Sequence, residues 1–114
     1  MSDIAESDWK VFRDVREDAL DRLCARILSE SAAVIQREGE SAHARYLALF
    51  RHLKDRKSDV ARMFDGLSRS GAVVQLIGME AEGLLTDDDW ARFTPALRDR
   101  VRGALDLRDL PRRR

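Results

Sequence analysis

Eight consecutive residues, 72 to 79, read Ala-Val-Val-Gln-Leu-Ile-Gly-Met, and lie inside a long helical pattern that is apolar on nearly every face. A helix that is apolar all round must be covered all round. In a chain of 114 residues two solutions exist. The stretch is the central helix of a small all-helical domain, or it is buried in part by a second subunit. Gln75 is the polar exception in the run, and a buried amide needs hydrogen-bond partners.

The rest of the chain supports the helical reading. Trp9, Phe12, Val15, Ala19, Leu20, Leu23, Cys24, Ile27, Leu28, Val34 and Ile35 recur in steps of three and four, the period of an amphipathic helix. Ser7 or Asp8 is placed to cap it, and Gly39 to end it. Roughly 30 helical residues span about 45 Å, more than a compact domain of this length can cover. Ser41 caps a second helix running to about Arg56, with Tyr46, Leu47, Phe50 and Leu53 inward and Leu49 alongside. Ser58 or Asp59 caps a third, carrying Val60, Met63, Phe64, Leu67, Val74, Ile77 and Ala81 on one stripe. A kink near residues 65–70 is the competing reading there.

Gly83 stops the third helix. Thr86 and Asp89 have capping-box spacing, with Leu85 and Trp90 placed as a hydrophobic staple. Thr94-Pro95 reads as the cap and first residue of a helix over 96–105. The expected organisation is a disordered N-terminus over 1–7, one helical domain over 8–105 and a flexible basic tail over 106–114. The expected fold class is all-α: a small helical bundle with a long N-terminal helix, a central apolar helix and a short C-terminal helix pair.

Composition removes several function classes. Acids and bases balance at 21 each, so no global field draws in nucleic acid or an anionic membrane. No apolar run approaches the roughly 18 residues of a membrane span. The acidic start lacks the basic and apolar regions of a signal peptide, and a cytoplasmic location is expected. Cys24 is the single cysteine, which rules out an internal disulfide; its place on the apolar stripe suggests a buried thiol. His43 and His52, nine residues apart, fall on opposite faces of one helix. Asp87-Asp88-Asp89 fan around a helix start, where acids suit the dipole. No catalytic triad, phosphate loop or metal-ligand spacing is visible, so no enzyme activity, cofactor or metal is expected. Eighteen of the 21 bases are arginine, which reads as the codon bias of a GC-rich genome.

Two groups merit attention as sites. Asp65, Ser68, Arg69, Ser70 and Gln75 form a polar insert between apolar segments. Asp65 and Arg69 are spaced to pair, and the group is either a network fixing helix register or a small recognition site. Arg45, Arg51, Lys54, Arg56 and Lys57 make the second helix basic, either as a solvated face or as a phosphate-contacting patch.

The segment Phe64-Asp65-Gly66-Leu67-Ser68-Arg69-Ser70, followed by Gln75-Leu76 and Gly83-Leu84-Leu85, resembles a group of small uncharacterised bacterial helical proteins. The resemblance extends back to Trp9, Lys10 and Phe12. Some members carry the label of a peptide-transporter substrate-binding protein. Proteins of that type have two α/β lobes and are several times longer, so the resemblance implies a helical fold and brings no activity. Separately, the stretch from Gly83 to Trp90 is similar to the helix-turn-helix element of short C-terminal oligomerisation modules.

The expected role is non-enzymatic protein interaction, as a homodimer with an unidentified protein partner and without membrane contact. The over-long first helix and the all-apolar stretch motivate the dimer. The alternative is a nucleic-acid-associated regulator using the basic second helix and the terminal arginines.

Overall fold

The computed structural model describes residues 4–109, with side chains through residue 107. The described residues form five helices and no strand: α1 (Glu6–Ile35), α2 (Ala42–Phe64), α3 (Ala72–Ala81), α4 (Asp87–Ala91) and α5 (Pro95–Asp109). The expected all-α fold with a long first helix is what the chain adopts. The molecule measures 53 × 34 × 23 Å, and α1 with α2 forms an antiparallel hairpin along the long dimension.

The core gathers at one end of that hairpin. Phe12, Val15, Ala19 and Leu23 from α1 meet Met63 and Phe64 from α2, Ala72, Leu76 and Met79 from α3, then Leu84, Phe93, Leu97 and Val101. The α1 residues follow the three-and-four spacing of one helix face. The same spacing explains α3, whose Ala72, Gln75, Leu76 and Met79 are buried. Apolar character all round does not mean burial all round, however: Val74 is 72% exposed.

Local capping chemistry sets several boundaries. Ser41 Oγ accepts from Ala44 N, and Thr86 with Asp89 makes the full capping box. Thr94 Oγ1 accepts from Leu97 N at the start of α5. Gly83, at φ +72°, closes α3 in the left-handed region. Beyond it Leu84 N reaches back to Met79 O and Gly83 N to Glu80 O, the double bond of a Schellman motif.

Other boundaries differ from expectation. Neither Ser7 nor Asp8 caps α1, which begins at Glu6 after Ala5. Ile4 is buried, so the domain starts earlier than residue 8, and α5 carries helix past residue 105 to Asp109. Residues 1–3 and 110–114, including the terminal arginines, lie outside the described residues. Helix α1 ends at Ile35, ahead of Gly39. Ser58 and Asp59 cap nothing: α2 runs through them, with Asp59 paired to both Arg56 and Arg62 one turn away on either side. The break comes at residues 65–71, where Gly66 adopts φ +77°. Beyond it Gly78 of α3 packs beside Met63 of α2, where an added β-carbon would stand 3.5 Å away in ordinary van der Waals contact.

Arginines close the helix ends. The last carbonyls of a helix have no partner within it and carry the negative end of the dipole. Arg45 donates to Ile35 O at the end of α1, and Arg16 to Phe64 O at the end of α2. Arg26 and Arg22 donate to Glu82 O and Leu84 O just beyond α3. Arg98 donates to Trp90 O and Phe93 O around the end of α4. Three of these five arginines stand on α1. Asp8 also works across the fold: it is 2% exposed and accepts from Thr94 N at 2.9 Å and Thr94 Oγ1 at 2.7 Å, closing the start of α5 from α1.

Candidate functional site

In the half of the hairpin beyond the core, charged and polar groups enter the seam between α1 and α2 beside Ile27 and the buried Val34. Glu30 Oε1 lies 3.0 Å from His52 Nε2 and 3.1 Å from Arg56 Nε. Arg56 also bonds Asp59 at 2.9 Å, and Arg45 reaches Ile35 O at 2.6 Å. Burial opposes the Arg56 charge, but Asp59 and Glu30 outweigh it and raise its pKa above the ordinary value.

Other apolar side chains lie outside that seam. Leu28 is 69% exposed, Tyr46 64% and Phe50 59%, and Ile35, Leu47 and Leu53 are also exposed. This corrects the expectation that Tyr46, Leu47, Phe50 and Leu53 face inward. It also places Cys24 in solvent, because the core-facing edge of α1 passes through Leu23 and turns away from its neighbour.

All of these side chains except Leu47 share one face. A helix turns about 100° per residue. Cys24, Leu28 and Ile35 therefore sit about a quarter-turn around α1 from Glu30, Ile27 and Val34, the edge turned to α2. Tyr46, Phe50 and Leu53 sit at a similar offset, in the same rotational sense, from Arg45, His52 and Arg56 on α2. In antiparallel neighbours, equal offsets of one sense point to the same side of the pair. The cross-helix contacts also place Leu28 level with Leu53, and Ile35 level with Tyr46 and Leu49. The result is a continuous apolar strip on the side of α1 opposite Val15 and Ala19, where the core packs.

The residues singled out from the sequence divide differently. Asp65, Ser68, Arg69, Ser70 and Gln75 do cluster around the 65–71 break. Gln75 Nε2 donates to Asp65 O at 2.8 Å, and Ser68 Oγ accepts from Gly71 N. Arg69 does not pair with Asp65. It donates to Ile4 O and to Glu6 Oε1, tying the start of the chain to the loop. Ser70 is exposed. The basic group is also split. Arg45 and Arg56 are engaged in the hairpin seam, while Arg51, Lys54 and Lys57 are exposed and make no ion pair among the described residues.

A groove of about 430 Å³ runs between α3, α4 and α5, lined in part by Glu80, Trp90 and Arg98. Three of its polar groups are already engaged: Trp90 Nε1 donates to Glu80 at 2.7 Å, and Arg98 holds two carbonyls. No helix among the described residues is long and apolar enough to cross a membrane. Comparison with family models, curated proteins and solved structures found no match.

The sequence did contain the signal for the hairpin face. Arg45, His52, Arg56 and Asp59 recur at helical spacing, a polar stripe as regular as the apolar one beside it. Either stripe could face α1. The structure gives that place to the polar one, because Glu30 and the end of α1 supply its partners.

Proposed function

We propose that this chain is a non-enzymatic helical interaction protein that acts as a homodimer through the apolar face of the α1–α2 hairpin. One observation supports the reading: Glu30, His52 and Arg56 occupy the seam of the hairpin beside Val34, while Leu28, Ile35, Tyr46, Phe50 and Leu53 face solvent together. Their exposed surface amounts to roughly 500 Å², near the upper end of the largest patch on an ordinary monomer. Scattered surface leucines need no explanation; a contiguous aromatic and aliphatic strip does.

Size-exclusion chromatography with light scattering at about 20 µM tests the reading, with Phe50→Glu as the control. The expected result is a dimer for the wild type and a monomer of unchanged helicity for the variant, because position 50 contributes little to the monomer's own core. A wild-type monomer at that concentration overturns the proposal. A peak carrying nucleic acid would instead favour the alternative reading, through Arg51, Lys54 and Lys57.

A further inference from the structure

Resting on that reading, we infer the partner's orientation: a second copy stacks face to face so that α1 of each copy lies over α2 of the other, giving a two-fold four-helix bundle with both hairpin tips at one end. The area is sufficient. Two copies hide roughly 1,000 Å² from these side chains alone, about where specific interfaces begin. The shape permits it as well, since the core packs on the opposite edge of α1 and leaves this face open. An isologous contact is also the commonest closed form for a self-complementary patch.

Charge selects the orientation. Asp21 lies on the apolar edge of α1 one turn before Cys24, and Lys57 lies on the matching edge of α2 at nearly the same level. Both are exposed, and neither is in an ion pair among the described residues. With α1 over α2 of the second copy, Asp21 stands about one helical turn along from the partner's Lys57 on the same rim, within reach of a lysine arm. The symmetry repeats the pairing on the other rim. The other two-fold stacking sets α1 on α1 and α2 on α2 in opposite directions. There Asp21 projects past the end of the partner's α1, and Lys57 meets the partner's α2 near residue 44, away from any carboxylate.

Two variants test this together. Asp21→Lys alone sets lysine against lysine at both rims of its homodimer, and Lys57→Glu alone sets carboxylate against carboxylate. A mixed dimer of the two restores opposite charges at both. With one variant isotope-labelled, native mass spectrometry at low salt should show the mixed dimer outnumbering the two homodimers together several-fold, with the excess shrinking as salt rises. A spin label on the native Cys24 gives an independent reading: the two labels lie within about 15 Å in the inferred bundle and beyond about 20 Å in the other stacking. Pairing of Asp21 with Lys57 inside one chain would give no mixed preference. Charge variants that mix statistically, or a wild-type dimer whose labels are far apart, overturn the orientation and leave the dimer standing. A monomer overturns both.

Discussion

Asp89 offers the sharpest test of how the core end is held together. Asp89→Ala removes two contacts at once: Thr86 N loses an acceptor at 3.0 Å, and Arg22 loses one at 2.6 Å. Losing that half of the capping box costs about 1 kcal/mol. Breaking a fully buried ion pair from one side costs about 3–5 kcal/mol. The Arg22 side chain, however, is 37% exposed and keeps Leu84 O, so about 1–2 kcal/mol is the fitting share. The sum, about 2–3 kcal/mol, corresponds to a fall in Tm of roughly 10–20 °C for a domain of this size.

The pH dependence adds a second readout. Burial works against the Asp89 carboxylate, but the Thr86 N–H and the Arg22 guanidinium outweigh it and hold its pKa below the ordinary value. The unfolded chain therefore takes up the proton more readily than the folded one. The stabilisation is complete above the unfolded carboxylate value of about 3.9 and is lost as pH falls through the lower folded value. Thermal melts followed by circular dichroism, at neutral pH and from about pH 5 to about pH 2.5, should show a steeper acid limb for the wild type than for Asp89→Ala. A cycle with Arg22→Ala should give a coupling of about 1 kcal/mol at neutral pH that disappears in acid. A variant within about 0.5 kcal/mol of wild type at neutral pH, or parallel acid limbs, would refute this account.

Three single substitutions give further stability predictions. Asp8→Ala leaves Thr94 N without its buried charged acceptor and should cost about 2–3 kcal/mol in urea unfolding; a loss below about 0.5 kcal/mol would mean that the α1–α5 clasp carries no weight. Gly83→Ala forces a β-carbon into the left-handed region at φ +72° and should cost about 1–2 kcal/mol, while Gly103→Ala, in α5 with nothing within 4 Å of the added carbon, should stabilise by about 1 kcal/mol. Shifts of the same sign in the two would contradict this.

What could be read from the sequence was the chemistry completed within one turn. Ser41, Thr86 with Asp89, Thr94 with Pro95, and Gly83 all act on groups three to five residues away, and each stands where the spacing put it. What could not be read was settled by partners far along the chain. Asp8 was placed to cap its own helix, yet its partner is Thr94, 86 residues on. Asp59 had the form of a helix cap, but Arg56 and Arg62, one turn away on either side, hold it within a continuous helix. The stripe of Tyr46, Phe50 and Leu53 predicts an inward face, because apolar stripes usually face a core. Glu30 and the carbonyl of Ile35 instead supplied partners for the polar stripe. The arginine excess reads as genome composition; the structure gives five of those arginines specific carbonyls to close at or near helix ends.

The placement of those arginines bears on how the chain is made. A five-residue helix such as α4 has no stability of its own, and α3, at ten residues, is still shorter than the roughly 12–15 an isolated helix needs. The end of α3 is completed by Arg22 and Arg26 of α1, a helix synthesised before it. Helix α1 thus carries Arg16, Arg22 and Arg26, the partners that the ends of α2 and α3 need, before those segments are synthesised. A circular permutation that moved α1 to the C-terminus would keep every contact yet remove that head start, leaving the short helices exposed until the last residues emerged.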